Sequence, residues 1–258
     1  MKFICVIPAR YGSSRLPGKP LADIQGHPMI EWVYHRAAAV KEFDQVIVAT
    51  DDQRIYDVVK GFGGYVEMTS AALPSGTDRV AVVAEKSDAD VVVNIQGDEP
   101  LIIPRVLKDL CATFILPEVS MATPVRKISN EIELTDPNNA RVVIDNNRDA
   151  IYFTRAVIPY DRNQDPLNQR IARGIYYKHV GIYAYRRDFL LKLAKLPPGH
   201  LEEVEKLEQL RVLEHGFKIR TIETDYHSMS VDTEEELQYI NKYIAENKIK
   251  MDGDDERL

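Results

Sequence analysis

The sequence predicts an α/β protein: a doubly wound, mostly parallel sheet of the Rossmann-like kind carrying a smaller β-rich insertion. Three observations predict it. Short Val/Ile-rich runs alternate with amphipathic stretches through the first half. Each run is apolar throughout and bounded by turns, the pattern of strands covered on both faces. The chain has 258 residues, 45% of them hydrophobic, enough to bury one sizeable core.

In chain order, "FICVIP" from Phe3 is a strand and "MIEWVYHRAAAV" from Met29 a helix. "QVIVAT" is the second strand, "QRIYDVVKGF" its helix and "YVEMT" the third strand. A helix from about Asp78 to Lys86 precedes the strand "DVVVNIQ", and "PRVLKDLCATFI" is helical. In the second half, "NARVVID" and "DAIYFTR" around Asn146-Asn147-Arg148 predict a hairpin. "DRNQDPLNQR" reads as a polar loop and "YYKHVGIYAYR" as one long alternating strand. "LEEVEKLEQLRVLEHG" reads as one helix capped by Gly216, followed by a strand "FKIRTIET" and a last helix from near Thr233. The terminal "MDGDDERL" is expected to fray. With no repeat or linker, residues 1–258 form one domain, with an insertion over about residues 140–185.

Composition narrows the function. The formal net charge is −7, so nothing global attracts nucleic acid or an anionic membrane, and an anionic ligand must be caught by locally clustered cations. The apolar run at Phe3 is too short for a signal-peptide core or a spanning helix, which predicts a cytoplasmic protein. Cys5 and Cys111 are lone cysteines in apolar stretches, expected to be buried thiols.

Ligands of doubly wound sheets sit beyond the carboxyl ends of the strands, so Ala9 to Lys19, Thr50 to Asp52 and Gly97 to Pro100 should converge on one crevice. The first stretch, "PARYGSSRLPGKP", fails as a Walker A motif. Five residues rather than four separate Gly12 from Gly18, and Pro20 stands where a metal-binding Ser or Thr belongs. Arg10, Arg15 and Lys19, on a loop with open N–H groups at Gly12, Ser13 and Ser14, still suit a polyphosphate; the alternative is a solvated loop paired to nearby acids. Asp98 in "NIQGDEP" is either a Mg²⁺ ligand at a strand end or part of a turn. Asp232 in "SVDTEEEL" reads as an N-cap with Glu235 completing a capping box. Asp51 and Asp52 read as caps of the following helix, and "LPSGTDR" with Ser75 as a helix start or a nucleobase reader. A helical wheel puts Glu208 inside an apolar arc, either paired with Arg211 or accepting sugar hydroxyls. From Pro166 to Arg187 there is no acid; Arg170, Arg173, Lys178, His179, Arg186 and Arg187 could receive an acidic substrate or form a solvated face.

Over nearly its whole length the chain resembles the 3-deoxy-manno-octulosonate (Kdo) cytidylyltransferases, the CMP-Kdo synthetases of lipopolysaccharide-producing bacteria. The motifs are "IPARYGSSRLPGKPL", "VIVATDD", "SGTDR", "VNIQGDEP", "YFTRAVIP", "KHVGIYAYR", "EKLEQLRVLE" and "VDTEEEL". The first is shared with sialic acid cytidylyltransferases; "KHVGIYAYR" with "EQLRVLE" points to the Kdo branch. The resemblance implies a nucleotidyltransferase that converts CTP and Kdo to CMP-Kdo and pyrophosphate. By the same resemblance, Arg10, Ser14, Arg15 and Lys19 would grip the triphosphate, and Ala9 and Ser75 would lie near the cytidine. Asp98 and Asp232 would hold catalytic Mg²⁺. Gln96, Arg155, His179, Tyr183 and Glu208, with Arg79 and Gln209, would form the sugar-acid site, Arg155 or His179 facing the carboxylate. A homodimer through the insertion is implied too. The same chemistry on 8-amino-Kdo or a sialic acid is the near alternative. A glycosyltransferase would normally show Asp-x-Asp where this chain has Gly97-Asp98-Glu99, and a non-catalytic nucleotide-sugar sensor would not need both Asp98 and Asp232.

Overall fold

Strand β1 (Phe3–Ala9) shows how the sequence builds the sheet. Ile4 and Val6 enter one apolar core, Cys5, Ile7 and Ala9 another. Side chains alternate across a strand, so a run apolar at every position needs cover on both faces. The same division holds for Val91 and Val93 against Val92. The computed structural model describes residues 1–13 and 15–252.

After β1 come β2 (Asp23–Ile24), β3 (His27–Pro28), α1 (Met29–Ala38), β4 (Phe43–Thr50), α2 (Gln53–Gly61), β5 (Tyr65–Met68), α3 (Gly76–Lys86), β6 (Val91–Asn94) and α4 (Pro104–Ala112). The second half holds β7 (Met121–Lys127), α5 (Glu131–Thr135), β8 (Arg141–Ile144), β9 (Ala150–Thr154), α6 (Leu167–Ala172), β10 (Tyr177–His179), β11 (Tyr183–Arg186), α7 (Arg187–Leu193), α8 (His200–Glu205), α9 (Leu210–Glu214), β12 (Arg220–Glu223) and α10 (Glu234–Asn247). The main sheet runs β5-β4-β1-β6-β11-β7-β10-β8-β9, with β12 also paired to β7. Strands β5, β4, β1 and β6 are mutually parallel, as the alternation of strands and helices predicts. The hairpin β8–β9 and strand β10 add antiparallel to the far side of the same sheet.

Four local expectations change. The alternating run Tyr176–Arg186 is two strands, β10 and β11, broken at Val180–Ile182. The break lies opposite Thr123 and Pro124 of β7, where the Thr123 hydroxyl lies 3.1 Å from the Val180 carbonyl and 2.7 Å from that of Ile182. Strand β7 gave no signal, because its proline argues against a central strand; the interruption is what accommodates it. The single helix over 201–216 is two, α8 and α9, hinged at Lys206 with φ +55°. The polar loop 161–170 runs into α6. The hairpin turn matches its reading, with Arg148 at φ +68°. Cys5 and Cys111 are buried free thiols, and burial pushes Cys111 up to about 12. Among the described residues no helix is long and apolar enough to cross a membrane. Most of the tail expected to fray, residues 253–258, lies outside the described residues.

Candidate active site

Three chain segments meet at the carboxyl ends of β1 and β6. The loop after β1 turns at Gly18, φ +70°, where a Cβ would stand 3.1 Å from the Tyr11 ring; only glycine fits that turn comfortably. The next residue is Lys19, the first of a short 3₁₀ turn. After β6, Gly97 lets the chain pass close to the end of β1, since a Cβ there would meet the Pro8 carbonyl at 3.1 Å. Asp98 follows. The third segment ends in Asp232, and here the predicted cap moves by one residue. Thr233 is the N-cap of α10, accepting from the Glu236 N–H, while Glu236 accepts from the N–H groups of Thr233 and Asp232. The shift leaves the Asp232 carboxylate free of the helix end.

An apolar cluster draws these segments together. Leu16, Leu101 and Val231 are buried in one group with Ile24, Met29, Trp32 and Ile240. Each stands within three residues of a charged group of the site, and burying each such side chain stabilises by roughly 1.5–3 kcal/mol. Above the cluster the Lys19 ammonium lies 2.5 Å from Asp98 Oδ2 and 3.0 Å from Asp232 Oδ1, while Arg15 Nη2 lies 3.0 Å from Asp232 Oδ2. Burial alone would lower the pKa of Lys19, but Asp98 and Asp232 outweigh it and hold the ammonium above its ordinary range. The crevice, about 390 Å³, is lined by Pro8 to Arg10, Gly12, Ser13, Arg15, Lys19, Pro20, Gly76, Gln96 to Asp98, and Asp232.

Its donor chemistry suits a hard divalent cation. Asp98 and Asp232 aim oxygens at one positive centre, now the Lys19 ammonium, and Mg²⁺ takes one or two carboxylates, filling its other positions with water and phosphate. Among the described residues no group of three or more His, Cys, Asp or Glu is placed to hold a metal by itself.

Residues 4–221 match the family model described as cytidylyltransferase. The chain belongs to that family. Among its cytidylyltransferase relatives, a 3-deoxy-manno-octulosonate cytidylyltransferase of Fusobacterium nucleatum is 49% identical, covering 97% of this chain and 100% of that one. An 8-amino-3,8-dideoxy-manno-octulosonate cytidylyltransferase of Shewanella piezotolerans is 47% identical, covering 95% and 99%. A solved CMP:2-keto-3-deoxy-manno-octonic acid synthetase complexed with CTP superposes with a TM-score of 0.89 at 44% identity, covering 96% of this chain and all of that one.

In this cytidylyltransferase the expected site residues divide into groups. Ala9, Arg10, Arg15, Lys19, Gln96, Asp98 and Asp232 meet at the crevice. Ser14 lies outside the described residues. Arg155 lines an adjoining crevice of about 740 Å³ that shares Arg15 and Asp232 with the first and also holds Asn138, Lys178 and Ser230. Lys178, read only as one cation in a basic stretch, is the residue the site assignment missed. Period-two alternation was the available signal, since it sends Lys178 and His179 to opposite faces.

The remaining residues turn inward. His179 packs edge-on against Phe153, 5.1 Å between centroids, with Nε2 3.1 Å from the Thr123 hydroxyl. Burial, with Lys178 beside it, lowers its pKa to about 3 and favours the neutral imidazole. Tyr183, Glu208 and Gln209 line a small cavity of about 10 Å³ that shares no lining residue with the charged crevice. The wheel that placed Glu208 fails, because the residue lies between two helices. It is nonetheless half-buried: desolvation raises its pKa, and the Ser75 hydroxyl lies 3.1 Å from its carboxylate. The alternative pairing with Arg211 is replaced by Arg211 with Glu202, at 2.8 and 2.6 Å. Ser75 caps α3 and lies 2.7 Å from Asp78, so its hydroxyl serves the helix start. Arg79 is fully buried, bonded to Asp51 at 2.7 Å and to Thr69. The stretch Thr50 to Asp52 therefore does not join the crevice, and Arg79 does not line it. Asp52 caps α2 as expected.

Proposed function

We propose that this cytidylyltransferase joins CTP to 3-deoxy-manno-octulosonate, giving the CMP-sugar and pyrophosphate. The observation that carries the proposal is the meeting of Arg15, Lys19, Asp98 and Asp232 in one crevice at the strand ends. Three cations of the first loop, Arg10, Arg15 and Lys19, receive the triphosphate, Arg by two-pronged contact and Lys as a point charge. Ala9, buried where β1 ends, packs beside the nucleoside. Asp98 and Asp232 would hold Mg²⁺, which would supply Lewis acidity and neutralise phosphate charge there.

The chain's own residues do the rest by placement. The sugar acid lies in the adjoining crevice, its carboxylate toward Arg155 and Lys178, so that its anomeric hydroxyl reaches the α-phosphorus beside Asp232. As that hydroxyl gives up its proton to water, a bond forms from its oxygen to phosphorus, and the bond to the bridging oxygen of pyrophosphate breaks. Lys19 and Arg15 stabilise the charge that gathers on the departing pyrophosphate, and orientation with charge neutralisation supplies most of the rate. On this reading the enzyme is a cytoplasmic homodimer, joined through the 140–185 segment, that feeds lipopolysaccharide synthesis.

Pyrophosphate release from CTP and Mg²⁺ with a panel of sugar acids tests the proposal. Kdo should be the preferred acceptor. Preference for the 8-amino sugar moves the specificity, and release with none of them overturns the transferase reading.

A further inference from the structure

The two carboxylates of the crevice come from distant parts of the chain, and Asp232 arrives on a stretch, residues 224–232, with no regular structure of its own. Two side-chain hydrogen bonds from the middle of that stretch converge on the residue next to Asp98. Glu99 is 6% exposed, and each of its carboxylate oxygens accepts from a different side chain of the stretch. The hydroxyl of Tyr226, itself fully buried, donates to Oε2 at 2.9 Å, and the hydroxyl of Ser228 donates to Oε1. The Val231 N–H adds a third link, to the Asp98 carbonyl at 3.0 Å. Burying a carboxylate costs free energy unless its oxygens are satisfied. Satisfying them with two hydroxyls from one irregular segment makes Glu99 an anchor for it. We propose that Glu99 is the positioning residue of this site: it moors the Tyr226–Val231 stretch to the end of β6 and so sets the spacing of Asp98 and Asp232. Asp98 and Glu99 thus divide the work, the first facing the crevice and the second facing the protein. The consequence for Mg²⁺ rests on the function proposed above; the mooring itself does not.

Hydrogen exchange tests the mooring without turnover. In Glu99→Ala, amides of residues 225–231 should exchange about 10- to 100-fold faster, the loss expected for two hydrogen bonds, while β1 and α3 exchange at the wild-type rate. The double variant Tyr226→Phe/Ser228→Ala, which keeps the carboxylate but removes both donors, should reproduce the effect. It is the deciding variant if Glu99→Ala exchanges faster everywhere. Mn²⁺ binding in the presence of CTP, read by the free-ion resonance, should weaken about tenfold in either variant, and cytidylyl transfer should lose kcat with the KM for CTP nearly unchanged. Wild-type exchange over 225–231 in the double variant overturns the proposal. So does faster exchange with unaltered Mn²⁺ affinity, in a protein whose wild type binds Mn²⁺. A wild type that neither binds Mn²⁺ nor releases pyrophosphate would overturn the functional reading and leave the exchange result standing.

Discussion

Two aspartates stand at equivalent places on either side of β1, Asp51 at the end of β4 and Asp98 just beyond β6, and each is bonded to a cation. Asp51 holds Arg79 at 2.7 Å, and the arginine side chain is fully buried. Asp98 holds Lys19 at 2.5 Å; that lysine reaches solvent, and it has a second carboxylate, Asp232, at 3.0 Å. The topology is shared and the chemistry is not. A guanidinium sealed behind its partner, and bonded to Thr69 as well, has nowhere to go, so the pair serves the fold. An ammonium at the end of a flexible stem, shared by two acids beside an open crevice, can give up its place to another cation and turn to a phosphate. Position at a strand end thus marks a site only when the partner there can leave.

The comparison can be broken by removing one member of each pair. Asp98→Asn should abolish Mg²⁺-dependent turnover, a loss of about 10⁴-fold or more, while CTP binding measured calorimetrically persists. Unchanged turnover would remove Asp98 from the metal site. Arg79→Met should instead cost about 3–5 kcal/mol in urea unfolding by leaving Asp51 unpaired, with turnover per folded molecule near wild type. A large fall in turnover without loss of stability would return Arg79 to the substrate site. Arg15 belongs to the open side, its side chain 64% exposed, so Arg15→Ala should lower kcat/KM about 10- to 100-fold with little change in melting temperature.

A smaller effect separates charge from burial. The folded pKa of His179 lies near 3, below its unfolded value, so the unfolded chain binds the extra proton between those limits. That contribution to stability is whole above pH 6.5 and falls away as pH drops toward 3. His179→Gln should therefore lose less stability than wild type between pH 6.5 and 4, measured by thermal melts. The activity profile near pH 6.5 should not move, and a lost ionisation there would mean that His179 is charged in the site.

Most of this molecule was legible where the physics is local. Apolar runs in β1, β4 and β6 gave the parallel strands, and Asn146-Asn147-Arg148 gave the hairpin, because side-chain alternation and turn chemistry act over a few residues. The clustered cations of the first loop stood out by spacing alone, and two of them, Arg15 and Lys19, meet carboxylates in the crevice. The failures share a cause. Strand β7 is stabilised by three partners far away in sequence, and its Pro124 hid it. The helix over 201–216 breaks at Lys206, and no local signal opposed its continuing.

The sequence by itself determined the alternating α/β order, the buried thiols and the clustering of cations in the first loop, since each follows from residue type and spacing. Only the tertiary structure decided which carboxylates meet. Asp232 differs from a helix cap by one residue of register, with Thr233 taking the cap. It reaches Lys19 because Leu16, Leu101 and Val231 bury one another and Glu99 holds the stretch before it. Packing among remote segments is set by the sum of their burial, and no single stretch of sequence carries that sum.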